Sequence, residues 1–135
     1  MRYKAGEFDY FYETDDLGRI KSFNTDNLQL TSREQRLTHN ANTPDKVKGQ
    51  DHAGHLIGDR FGGSPKLDNL VSQHERVNLS EYKRMENTWE NAIKSGKRVK
   101  IQMSIEYAMG TSRPTRFVGY YWIDGQLMRI NISNL

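Results

Sequence analysis

Residues 50 to 70 read QDHAGHLIGDRFGGSPKLDNL, and residues 77 to 92 read VNLSEYKRMENTWENA. The first stretch is dense in glycine and polar residues around a short apolar core, Leu56-Ile57, which predicts a strand followed by a tightly folded loop. In the second, Asn78 with Glu81 three residues on approximates a capping box, so a helix is expected to open at Asn78, and Gly96 after Ser95 is its natural stop. Along that helix Tyr82, Trp89 and Ile93 form one apolar stripe, and the remaining position of the stripe is Glu86. A carboxylate on the core face demands a partner, because an unpaired buried charge costs on the order of several kcal/mol. The partner is a structural ion pair, with Arg60 or Arg84, or else a metal-bound water or a set of donors.

Working outward, Phe8, Tyr10 and Tyr12 alternate, Asp15 to Gly18 supplies turn chemistry, and a second extended run follows from Arg19 to Phe23, so an N-terminal hairpin is expected. Residues 31 to 48 are polar and without period; they read as a long surface connection, with a short helical turn near Ser32 to Arg36, and name no chemistry. The last third is strand. Val99, Ile101, Met103, Ile105 and Tyr107 alternate with polar residues, and runs 116–123 and 126–132 meet at Asp124-Gly125, a dipeptide suited to a two-residue hairpin. The expected class is α+β, antiparallel strands packed on one long helix, in a single domain spanning residues 1–135.

With 35% hydrophobic residues, seven Tyr, five Phe and two Trp, the chain can build a core. No Cys is present, which excludes disulfide frameworks, thiolate metal sites and cysteine nucleophiles, so any metal must be held by oxygen or imidazole. No apolar run approaches the roughly 20 residues a membrane helix requires, and a soluble domain is expected. The net charge of +3 lies entirely beyond residue 50. Lys94, Lys97, Arg98 and Lys100 fall within seven residues without an acid, which suits a polyanion or, equally, a solvated helix end.

His52 and His55 are three apart, but the surrounding glycines argue for strand, where they face opposite sides and cannot share one metal. One such histidine serves better as a general base, since imidazole titrates near neutrality. His39 and His74 are expected to be surface or hydrogen-bonded residues. Asn78 is ordinary as an N-cap, yet its amide oxygen is also a hard neutral ligand acceptable to magnesium.

The run GHLIGDRFGGSPKLDNLV (54–71) followed by VNLSEYKRMENTWENA (77–92) resembles the DNA/RNA non-specific endonuclease family of ββα-metal (His-Me finger) nucleases, in the branch found as toxin domains of bacterial polymorphic secreted toxins. The resemblance is strong across residues 51 to 90, and the N-terminal EFDYFYETDDLGRI is similar to the usual entry into such domains. It implies a ββα-metal finger with His55 as general base, Asn78 as the protein ligand to Mg²⁺ (or another divalent cation such as Mn²⁺), and Glu86 supporting the metal shell. Where well-known members carry Asp-Arg-Gly before the histidine, this chain has His52-Ala53-Gly54, with the acidic residue displaced to Asp51 or lost. Arg60 is the candidate replacement for the missing arginine, with Lys83, Arg84 and the 94–100 cluster further out along the nucleic acid.

The implied activity is metal-dependent, largely sequence-non-specific cleavage of DNA and/or RNA. Further implications are secretion as part of a larger antibacterial toxin, action in the target-cell cytoplasm, and a cognate immunity protein as partner. The alternative is a catalytically inactive nucleic-acid-binding domain on the same fold.

Overall fold

A computed structural model describes residues 1–135. Its framework is the alternating strand β6 (Val99–Tyr107), whose Val99, Ile101, Met103 and Ile105 are buried while Gln102, Ser104 and Glu106 face solvent. Around it runs an antiparallel six-stranded sheet in the order β1-β2-β3-β6-β7-β8, with β1 Arg2–Lys4, β2 Phe11–Thr14, β3 Ile20–Thr25, β7 Pro114–Ile123 and β8 Gln126–Ser133. The two expected hairpins form. Asp124 and Gly125 both adopt positive φ, 48° and 81°, the twist that a two-residue connection between β7 and β8 requires. At the other end β1 adds an edge to the β2–β3 hairpin, a strand the alternation in residues 8–12 does not announce.

A second, two-stranded sheet pairs β4 (Asp51–His55) with β5 (Leu70–His74), and β5 runs directly into the helical segment. These two strands and the helix α1 (Tyr82–Lys94) make a ββα finger. Tyr82 and Trp89 are fully buried against the sheet, edge-on to Phe117 and Tyr121, and Phe61 packs on Trp89. Gly96 ends the helix with φ 81° as expected.

The helix start differs from the capping-box expectation. Helical backbone is already established before Asn78, residues Val77–Glu81 form a π-helical turn that leads into α1, and no side chain caps either boundary. Asn78 is therefore not an N-cap. A π turn widens the helix by one residue per turn and is found mostly at functional sites; here it carries Asn78. Nor does a helical turn form at Ser32 to Arg36, which stays irregular.

Two buried polar anchors hold the finger. Asp51 is buried and bound bidentately by Arg113, at 2.7 and 2.9 Å. Burial alone would raise its carboxyl, but the Arg113 and Val47 hydrogen bonds hold it below the ordinary range. Asp51 thus ties β4 to the main sheet and is spent on structure. The second anchor is Asn69, fully buried between the strands of the finger and the loop that joins them. Its Oδ1 accepts from Tyr12 Oη (2.6 Å) and Ile57 N (3.0 Å), and its Nδ2 donates to Ile57 O (2.7 Å) and Ser64 O (2.9 Å).

Asn69→Asp preserves shape but turns an oxygen toward two carbonyls. It should cost at least ~3 kcal/mol, from buried groups left unpaired, and appear as a lower urea midpoint at unchanged m-value; a midpoint equal to wild type would contradict the role assigned to Asn69.

Candidate active site

The loop that Asn69 folds begins one residue after His55 and returns to α1. His55 ends β4, and Gly58 follows where Glu86 of α1 crosses: a Cβ at Gly58 would run into Glu86 Oε2. A 3-10 turn at Asp59–Phe61 then plants Phe61 in the core and leaves Asp59 and Arg60 on the rim. The result is a polar cavity of about 230 Å³ lined by His55, Asn78 and Glu86 together with Gly58, Arg60 and Lys83. Arg36, Asp59 and Leu79 complete it.

His55 is 8% exposed, and its Nε2 is sealed from solvent with no hydrogen-bond partner. Desolvation, reinforced by His39 and Arg36, pushes its pKa down to about 4 from 6.5, against a smaller opposing pull from Asp59. The imidazole is neutral at pH 7, the form in which a ring nitrogen carries a free lone pair, and its burial lowers its proton affinity. Asn78 donates through Nδ2 to His52 Nδ1 at 3.1 Å, while its Oδ1 has no partner in the protein.

Glu86 resolves the question its sequence position raises. Neither Arg60 nor Arg84 pairs with it: Arg60 bonds Asn87 (2.8 Å) and Glu90 (3.3 Å), and Arg84 bonds Ser80 (2.9 Å). Its carboxylate has no hydrogen bond or ion pair within the protein, and burial raises its pKa from 4.5 to about 7 despite Arg60, Arg36 and Lys83 nearby. An amide oxygen and a carboxylate, neither with a partner in the protein, thus share a cavity with three cationic side chains. That donor set is hard and sparse. No cluster of three or more His, Asp or Glu side chains gathers anywhere in the structure, so a zinc-type cage of protein ligands is absent. A divalent ion that keeps most of its waters, as magnesium does, fits the oxygens that are present.

Of the residues singled out from sequence, His55, Asn78, Glu86, Arg60 and Lys83 converge. Arg84 does not line the cavity. Lys94 lies in an adjoining groove with Arg36, Arg60 and Glu90, whereas Arg98 and Lys100 border a separate hollow beside Trp122, where Lys100 sits 5.2 Å from the indole ring. His74 is hydrogen-bonded to the Arg76 backbone, as expected. His39 is not a bystander: its ring meets that of His55 edge-on at 5.0 Å.

His39 and Arg36 both come from the 31–48 connection, in which the sequence names no chemistry. The loop is pinned there by Arg33, bonded to Asp59 (2.9 Å) and Glu7 (3.1 Å), and by backbone bonds Thr31 N to Arg60 O and Asn40 N to Pro65 O. The only available signal was basic residues in an unusually long polar loop.

This arrangement, a two-stranded finger presenting a neutral histidine to an amide and a carboxylate on the following helix, defines a ββα-metal nuclease fold. Residues 1–125 match the family described as DNA/RNA non-specific endonuclease, and the chain belongs to that family. It is 36% identical over 128 residues to the type VII secretion system protein EssD of Staphylococcus aureus strain USA300, covering 87% of this chain and 20% of EssD, with the same figures for strain NCTC 8325. The chain therefore spans about a fifth of the length of these curated relatives. The crystal structure of NucA from Streptococcus agalactiae with magnesium ion bound has a TM-score of 0.70 at 17% identity, covering 98% of this chain and 71% of NucA. The metal-free form of NucA gives 0.69 at 16%, with 98% and 72% covered. At such identities the likeness to NucA is one of fold.

Because folding raises the Glu86 pKa, the folded chain favours its protonated form. The penalty is nil below about pH 4.5 and grows as the pH rises through about 7. In EDTA, Glu86→Gln should therefore raise the melting temperature at pH 8 and leave it nearly unchanged at pH 4.5. An equal effect at both pH values would show that the carboxylate is not held unpaired.

Proposed function

We propose that this chain is the catalytic domain of a metal-dependent, largely sequence-non-specific endonuclease that hydrolyses phosphodiester bonds in DNA and/or RNA, carried as the toxin domain of a larger secreted protein. The observation that carries the reading is the meeting of a neutral, partnerless His55 with the free oxygens of Asn78 and Glu86 in one cationic cavity.

In this reading Asn78 Oδ1 would hold a divalent cation, magnesium or manganese, and Glu86 would supply the second oxygen facing it. Such an ion, when bound, acts as a Lewis acid toward charge developing on the phosphate. His55 accepts a proton from water as the water oxygen bonds to phosphorus and the bond to the 3′ oxygen breaks. Since Nε2 is sealed, Nδ1 is the nitrogen that takes the proton. Arg60, held by Asn87 and Glu90, together with Arg36 and Lys83, binds the non-bridging phosphate oxygens. Arg60 would thereby replace an arginine at Ala53, which is buried and paired with Ser72 inside the finger. Contacts of this kind touch backbone and not base edges, so little sequence preference follows. Lys94 continues the basic path from Arg60, with Lys97, Arg98 and Lys100 as more distant phosphate contacts and Arg84 on the exposed helix surface.

Similarity to a type VII secretion system protein about five times as long supports export as one part of a larger chain. Toxic action in a target-cell cytoplasm implies a dedicated immunity protein in the producer, and an acidic inhibitor would suit the basic rim.

His55→Ala should lose on the order of 10² to 10⁴ in cleavage rate, and EDTA should stop digestion of plasmid and RNA alike. Persistence of near-normal cleavage in either case would sink the assignment; tight binding without cleavage would mark a binding domain instead. Arg60→Ala should raise KM and flatten the dependence of KM on salt by about one phosphate contact, and an unchanged salt slope would remove Arg60 from the phosphate site.

A further inference from the structure

An asparagine is an ambiguous metal ligand. Its amide has nearly equal ends, yet only Oδ1 can face a cation, and the NH₂ end presented to the same ion is repulsive. The partner of the NH₂ group therefore decides whether the ligand exists. In this chain that partner is His52 Nδ1, 3.1 Å from Asn78 Nδ2. To accept from an NH₂ group, Nδ1 must carry no proton, so the ring proton sits on Nε2, which faces Glu75 Oε2 at 3.8 Å, beyond hydrogen-bond distance.

The backbone explains why the three meet. Strand β5 runs into the helical segment at His74, so Glu75 and Asn78 are three residues apart across the first helical turn and share a face. His52, in β4 opposite Gln73, reaches across to both. It lies an odd number of residues from His55 and so leaves the strand on the other side; it does not line the cavity. The histidine would thus touch neither a phosphate nor an attacking water placed in the cavity.

We propose that His52 is a positioning residue that aims the Asn78 amide oxygen at the divalent cation. This rests on the reading of Asn78 as the metal ligand. It assigns a purpose to the departure from Asp-Arg-Gly before His55: the first of those positions still offers an acceptor, now an imidazole nitrogen.

Two substitutions separate the acceptor from the ring. His52→Phe keeps bulk and removes the acceptor, while His52→Asp keeps an acceptor and removes the ring. Calorimetric titration of each purified variant with MnCl₂, without nucleic acid, should show His52→Phe weakened by about 10- to 100-fold, the usual effect of losing a group that orients a ligand, and His52→Asp within a few-fold of wild type. The rate deficit of His52→Phe in plasmid cleavage should shrink as the metal concentration rises. Wild-type affinity in His52→Phe, or an equal loss in both variants, overturns the proposal. Asn78→Ala is the control: if it binds Mn²⁺ as wild type does, the ligand assignment itself fails, whereas loss there with His52→Phe unaffected refutes only the role of His52. If either variant fails to fold, ¹⁵N NMR of the wild-type domain decides. A scalar coupling from the Asn78 side-chain nitrogen to an unprotonated His52 Nδ1 supports the inference, and a protonated Nδ1 excludes it.

Discussion

The site depends on one saturated amide. Asn69 uses all four of its side-chain hydrogen-bonding capacities, on Tyr12 of the main sheet, on both backbone groups of Ile57 and on Ser64 O. No apolar side chain could do this, because the loop after His55 turns inward and its peptide groups would otherwise be buried without partners. With that loop fixed, Gly58 lies under Glu86, Phe61 fills the space beside Trp89, and Arg60 is delivered to the rim. Remove the amide and the peptide groups of Ile57 and the Ser64 carbonyl lose buried partners.

The electrostatics of the cavity are deliberately incomplete. Away from the cavity, Arg113 is matched with Asp51 and Arg19 with Asp15, and on its rim Asp59 is matched by Arg33. Inside the cavity His55 is stripped of its charge, Glu86 is held without a counter-ion, and Asn78 points only its nitrogen at the protein. Perturbed groups of this kind are costly to the fold and gather where a site needs them. In the proposed function a cation and a phosphate would together supply what the protein withholds.

The long connection from residue 31 to 48 completes the cavity without regular structure. Its backbone is tied to Arg60 and Pro65 and its Arg33 to Asp59, so Arg36 and His39 are delivered by a loop whose own sequence has no period. His39, edge-on to His55, adds to the field that keeps the His55 imidazole neutral. Scaffold and chemistry are divided: the six-stranded sheet supplies the buried wall, and the finger with its adjoining loop supplies nearly every polar group of the site.

Local sequence determined the elements whose signal is local. Period-two alternation placed β6, the runs 116–123 and 126–132 placed β7 and β8, Asp124-Gly125 placed the turn between those two, and Gly96 placed the end of α1, because each is decided by neighbours a few residues apart. The intrusion of Glu86 on an apolar stripe is likewise visible in a 3.6-residue period, and His55 and Asn78 stand out through the motifs that resemble the family. Tertiary structure decided the rest. Asn78 proved to lie in a π turn and not at a cap, since the preceding strand feeds the helix already wound. Asp51 was claimed by Arg113, 62 residues away, and His39 was brought to His55 by contacts that no spacing encodes. Where a partner is distant along the chain, only folding can name it, because the free energy that selects it comes from burial and long-range hydrogen bonds and not from local propensity.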